Sequence, residues 1–125
     1  MIVLTLEQLL EIHAVVIEST GGSMGIKDLG RLESAMATQT QNVFGEELYL
    51  STIDKAAAII RAVIADHPFV DGNKRTAMLT GLTLLEINKL KFKFITREIE
   101  DFAVKIAVDH LDVIQISKWL EHHII

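Results

Sequence analysis

The chain has 125 residues, half of them hydrophobic, which suits one domain around one core and argues against disorder. Its formal charge of -5 works against nucleic-acid backbones and anionic membranes as partners, and the absence of cysteine excludes disulfides and thiolate metal sites.

No repeat, low-complexity tract or Pro/Ser-rich linker interrupts the sequence, so residues 1–125 read as a single domain. MIVLTLEQLLEIH has no basic n-region and carries Glu7 and Glu11 where a secretory segment would be apolar. No apolar run reaches the roughly 18 residues of a membrane span. A cytoplasmic location is the expectation.

Thr5 with Gln8 forms a capping-box start. Leu6, Leu9, Leu10, His13, Val16 and Ile17 then share one helical face, which Gly21 and Gly22 end. GGSMGIKD is a loop, and Asp28 caps a second helix to about Thr38. QTQNVFGEELYL, residues 39–50, breaks the helical period and predicts an irregular loop or small hairpin. Ser51 with Asp54 opens a third helix, IDKAAAIIRAVIAD, which Pro68 stops by pushing His67 out of the α region.

RTAMLTGLTLLEINKL is apolar nearly all round, the pattern of a central buried helix. Gly81 in its middle costs about 1 kcal/mol against alanine, and a close helix crossing is the usual compensation. LKFKFI alternates, Thr96 caps a helix to about Val108, and Asp112 caps the last, VIQISKWLEHH. The expected fold is all-α, about six helices with at most a small β-hairpin.

Between the third and fourth helices lies HPFVDGNKRTA, residues 67–77, which holds the only proline of the chain. Lys74 and Arg75 occupy a helical first turn, against the dipole, where acids are normally preferred. An anion over that helix end would relieve the conflict, held by N–H groups and both cations. Gly72 allows close approach to the backbone, and Asn73 either caps the helix or reaches a phosphate oxygen. Asp71 is a hard oxygen ligand suited to Mg²⁺ on polyphosphate, and His67 is placed as a general base.

Taken singly, each residue has a plainer reading. His67 could cap or pack, Asp71 or Asn73 could be the N-cap, and Lys74 and Arg75 could extend into solvent. Five such residues within nine positions favour the joint reading, an anion site for phosphoryl or nucleotidyl transfer. The loop is neither a Walker A sequence nor a zinc motif.

The motif resembles that of the Fic/Doc superfamily, in the form H-x-F-x-D-x-N-K-R of the Doc (death-on-curing) branch. GIKDLGRLESAM at 25–36 and FGEELY at 44–49 are similar to that branch as well. The resemblance implies an all-helical fold and a toxin of a toxin–antitoxin pair that uses ATP and Mg²⁺ to phosphorylate a hydroxyl of elongation factor Tu. It implies His67 as base, Asp71 as metal ligand, and Gly72, Asn73, Lys74 and Arg75 as phosphate contacts. It also implies a target-docking flap at Phe44, Gly45, Glu46, Glu47, Leu48 and Tyr49.

Inhibition would come from a separate antitoxin whose disordered segment folds on binding. Gly72 departs from the Doc form, which has alanine there, towards the AMP-transferring one. Protein AMP transfer is therefore the alternative, and a catalytically inactive partner that acts by antitoxin binding is the other.

Overall fold

The computed structural model describes residues 1–125 and is all-helical apart from one hairpin. Its helices are α1 (Leu6–Thr20), α2 (Leu29–Ala37), α3 (Thr52–Asp66), α4 (Asn73–Ile87), α5 (Thr96–Asp109) and α6 (Val113–Glu121). A 3₁₀ turn, Thr38–Thr40, follows α2 and leads into β1 (Asn42–Val43) and β2 (Glu46–Glu47). No helix is long and apolar enough to cross a membrane.

Local chemistry sets most helix starts. Thr5 accepts from Gln8 N while the Gln8 side chain reaches back to Thr5 N, and Asp112 with Gln115 repeats this box at α6. Asp28 and Ser51 cap α2 and α3 through Arg31 N and Asp54 N. At α5 the expectation shifts by one residue. Ile95 is the N-cap, with no side-chain cap bond, and Thr96 lies inside the first turn.

α3 and α4 form the centre, and α3 also packs on α6. Ala56, Ala57, Ile59, Ile60, Val63 and Ile64 of α3 are buried against Ala77, Met78, Leu82, Leu84 and Leu85 of α4. Gly81 lets the two helices close: a methyl there would overlap Ile60 Cγ1 and Cδ1. The expected close crossing is present. Ser117 Oγ donates to Asp54 Oδ1 at 2.8 Å, tying α6 to the start of α3.

Two side-chain amides hold the N-terminal segment. Gln39 pairs with both backbone groups of Leu4, and Asn88 with both of Ile2. The alternating segment Lys91–Lys93 pairs with the C-terminus through Lys93 N to His123 O and Ile125 N to Lys91 O. Beneath it Phe94 stacks on Trp119 and His123.

The hairpin pairs Val43 with Glu46 and Asn42 with Glu47. Its two-residue turn, Phe44-Gly45, has φ of 51° and 82°, the left-handed pair of a type I′ turn. Leu48 N donates to Gln41 O and closes it. The segment expected at 44–49 as a flap is thus a hairpin over 42–47, and Leu48 and Tyr49 lie beyond its strands. Phe44 stands fully exposed at the tip. The hairpin is anchored from below by Lys55, a buried lysine whose Nζ donates to Gln39 O and pairs with Glu47 at 3.0 Å.

Candidate active site

His67 ends α3 in the left-handed region, φ 46°, and its imidazole is exposed. Histidine is among the few non-glycine residues enriched there. Pro68 and Phe69 then turn inward and are buried, so the chain reverses between a fixed α3 and a fixed α4. Phe69 fills a small second core with Leu9 and Leu32.

The loop hangs on residues far away in sequence. Lys27 N and Asp28 N both donate to Pro68 O, and Val70 N donates to Gly25 O. His13, on the apolar face of α1, is buried, and its Nε2 donates to Asp71 O at 2.9 Å. Its ring stacks on Phe69 with centroids 3.8 Å apart. Sequence reasoning gave His13 no role in the site. The available signal was a polar residue in the middle of an apolar stripe, which needs a partner once buried.

Gly72 is the N-cap of α4, with φ 77° and no side-chain cap bond. Neither Asp71 nor Asn73 caps the helix. A methyl at Gly72 would sit 3.1 Å from Ile17 Cδ1 in a left-handed conformation, which accounts for glycine in this loop. The first-turn N–H groups of α4 therefore have no side-chain acceptor, and Lys74 and Arg75, both exposed, stand beside them.

These residues share one depression. His67, Asp71, Gly72, Asn73, Lys74 and Arg75 line an open cleft of about 460 Å³, with Gly21 and Gly22 also in its wall. Asp71 Oδ2 accepts from Ser23 N at 2.8 Å, which orients the carboxylate towards that wall. Arg75 pairs with Glu100 at 3.2 Å across a half-exposed contact. Such a surface pair is worth about 0–1 kcal/mol, so an anion in the cleft competes with it readily. Lys74 is in none of the ion pairs.

Asn73 lines the cleft, and its side-chain amide is bonded to the loop backbone. Its Oδ1 accepts from Phe69 N at 2.9 Å and its Nδ2 donates to Phe69 O at 3.0 Å. Both ends of the amide clamp the loop. Asn73→Ala strands two backbone groups and is expected to cost about 1–3 kcal/mol in a denaturant melt. Asn73→Asp keeps the acceptor but loses the donor, and should be destabilised as well.

No group of three or more His, Asp or Glu side chains could hold a metal. Asp71 offers a single carboxylate, the donor set expected where the remaining ligands of a Mg²⁺ ion are phosphate oxygens and water. The residues present fit a metal–polyphosphate and not a metal alone. The hairpin stands apart from this cleft, whose lining includes none of residues 44–49.

The family model for the Fic/DOC family matches residues 3–85, a span that includes α1, the hairpin, the motif loop and most of α4. The chain belongs to the Fic/DOC family. It is 35% identical over 99 residues to Toxin Doc of Mycolicibacterium smegmatis, covering 78% of this chain and 76% of that protein. It is 30% identical over 114 residues to Protein kinase doc of Escherichia phage P1, covering 91% and 89%. The matched span contains His13, Ser23 and the motif loop, the three stretches that meet at Asp71 in the structure.

Proposed function

We propose that this protein is a toxin that transfers the γ-phosphoryl group of Mg-ATP to a serine or threonine hydroxyl of a translation factor, elongation factor Tu being the expected target. One observation carries the reading. The α4 N-terminus has no side-chain cap, its first turn holds Lys74 and Arg75, and it opens into the cleft that His67 and Asp71 also line. The relatives named as a toxin and as a protein kinase support it.

In this reading the α4 N–H groups, Lys74 and Arg75 hold the polyphosphate. Asp71, held by Ser23 N, is the protein ligand for Mg²⁺, which supplies charge neutralisation on the phosphate oxygens when bound. His67 takes the proton of the acceptor hydroxyl. His13 and Asn73 hold the loop in place, and Asn73, which also lines the cleft, remains a candidate phosphate contact.

A cognate antitoxin is the expected inhibitor. An apolar groove of about 270 Å³, lined by Val15, Met78, Leu79, Leu82 and Ile99, adjoins the cleft through Thr20 and Arg75. It suits an amphipathic segment that folds on binding and lies beside the cleft mouth. Leu79→Glu is expected to weaken inhibition at least tenfold when the antitoxin is titrated against activity.

The test of the activity is to incubate the purified chain with Mg²⁺, ATP and a bacterial translation extract and weigh the proteins. A gain of one phosphoryl group is expected. A gain of one AMP would move the protein to the alternative that Gly72 suggested, and no gain would leave a binding role only. Lys74→Gly is expected to shift the product towards AMP transfer if the ammonium selects the phosphate presented to the acceptor. An unchanged product would remove Lys74 from that role.

A further inference from the structure

Three contacts converge on Asp71, and all of them come from α1 or from the turn that follows it. His13 Nε2 donates to the Asp71 carbonyl at 2.9 Å. Ser23 N donates to the carboxylate oxygen Oδ2 at 2.8 Å. Gly22 lies so close that a methyl on it would sit 3.2 Å from Asp71 Cβ and 3.5 Å from Oδ2. Backbone, side-chain stem and one oxygen of Asp71 are each fixed by residues 13–23.

The two carboxylate oxygens are therefore unlike. Oδ2 is committed to a main-chain N–H, while Oδ1 takes part in no hydrogen bond or ion pair within the chain. No further acid or imidazole groups with it as a metal-holding set. A Mg²⁺ ion demands near-octahedral geometry and takes one or two carboxylates beside phosphate oxygens and water. One fixed oxygen meets that demand. A carboxylate free to turn would offer either oxygen, or both, and would lose side-chain freedom on binding.

We propose that Gly22 and Ser23 are positioning residues, which fix Asp71 so that Oδ1 alone is offered to the metal of a bound metal–polyphosphate. This rests on the Mg-ATP reading above. The turn after α1 thereby does more than end a helix. A side chain on Gly22 would displace the Asp71 stem, and loss of the Ser23 N–H would let the carboxylate rotate. Neither residue needs to touch the nucleotide, because both act through Asp71.

The test measures binding of the non-hydrolysable β,γ-imido analogue of ATP to the full chain by calorimetry, with Mg²⁺ and with a chelator. Mg²⁺ is expected to tighten binding to the native chain. Gly22→Ala should weaken binding in Mg²⁺ by about 10- to 100-fold, the usual cost of disturbing a group that orients a metal ligand. Binding without metal should stay unchanged, because Lys74, Arg75 and the α4 N–H groups are untouched. Asp71→Asn gives a second, independent arm. Its amide oxygen is drawn to Ser23 N, which turns the NH₂ to the metal, so the Mg²⁺ dependence should vanish. Adding Ser23→Pro removes that N–H, frees the amide to turn, and should restore part of the dependence. A full Mg²⁺ dependence in Gly22→Ala, an equal loss with and without metal, or a double variant that recovers nothing overturns the positioning role and leaves the cleft a nucleotide site. A native chain that binds the analogue no tighter with Mg²⁺ than without overturns Asp71 as the metal ligand as well.

Discussion

His67→Ala is expected to lower the rate of hydroxyl modification by about 10²- to 10⁴-fold, the usual contribution of a positioned general base. The fold should survive. His67 is exposed, and burial in the loop comes from Pro68 and Phe69, the two residues that follow it. What the substitution changes structurally is the left-handed position at φ 46°, which alanine adopts less readily than histidine. A loss of about 1 kcal/mol is the expected scale for that. His67→Asn separates the two effects, because asparagine tolerates the conformation and cannot serve as the base. Both variants should be equally inactive, with His67→Asn melting closer to the native chain. Activity retained in either would take the proton-accepting role away from His67.

Gly81→Val is expected to be the most damaging single change to stability, at about 3 kcal/mol, the upper part of the usual overpacking range. The added methyls would enter the α3–α4 crossing, where Ile60 Cγ1 and Cδ1 already occupy the space and Ile60 is wholly buried. Relief would need α3 to move away from α4, and both helices end at the motif loop. Thermal unfolding should fall by roughly 10 °C for a domain of this size. Pairing Gly81→Ala with Ile60→Val should recover part of what Gly81→Ala alone loses, since the two residues are in contact and their effects do not add. A Gly81→Val protein as stable as the native chain would show that the crossing is not tightly packed.

The helical frame was legible because its signals are local. Thr5, Asp28, Ser51 and Asp112 announce helix starts through side chains that bond two or three residues on, and the structure uses all four. Gly81 announced a close crossing through its cost alone. The site was legible only in part. A motif shows which residue types stand together, so the clustering of His67, Asp71, Lys74 and Arg75 about one cleft could be read in advance. The assignment of the helix cap could not, because Asp71, Gly72 and Asn73 are all competent and the choice falls to partners elsewhere. Ser23 takes the Asp71 carboxylate and Phe69 takes the Asn73 amide, which leaves Gly72. For residues 39–50 a small hairpin was one of two readings, and it is present; its register and anchoring were not legible, because the hairpin is exposed throughout its strands and turn and carries no alternation of burial. What fixes it is Lys55, a charge that a hydropathy pattern would never place inside.

The motif loop is held by His13 and Ser23, 58 and 48 residues before Asp71. Closing loops of that length carries an entropic cost that the packing of the rest of the domain has to offset. A growing polypeptide that has emerged only as far as the third helix has no anion cradle, because the helix that builds it has not yet been synthesised. Packing of α3 against α6 brings residues 113–121 into the frame that carries the loop. The cradle is therefore a product of the folded domain as a whole, and a nascent chain that stops short of α4 does not carry it.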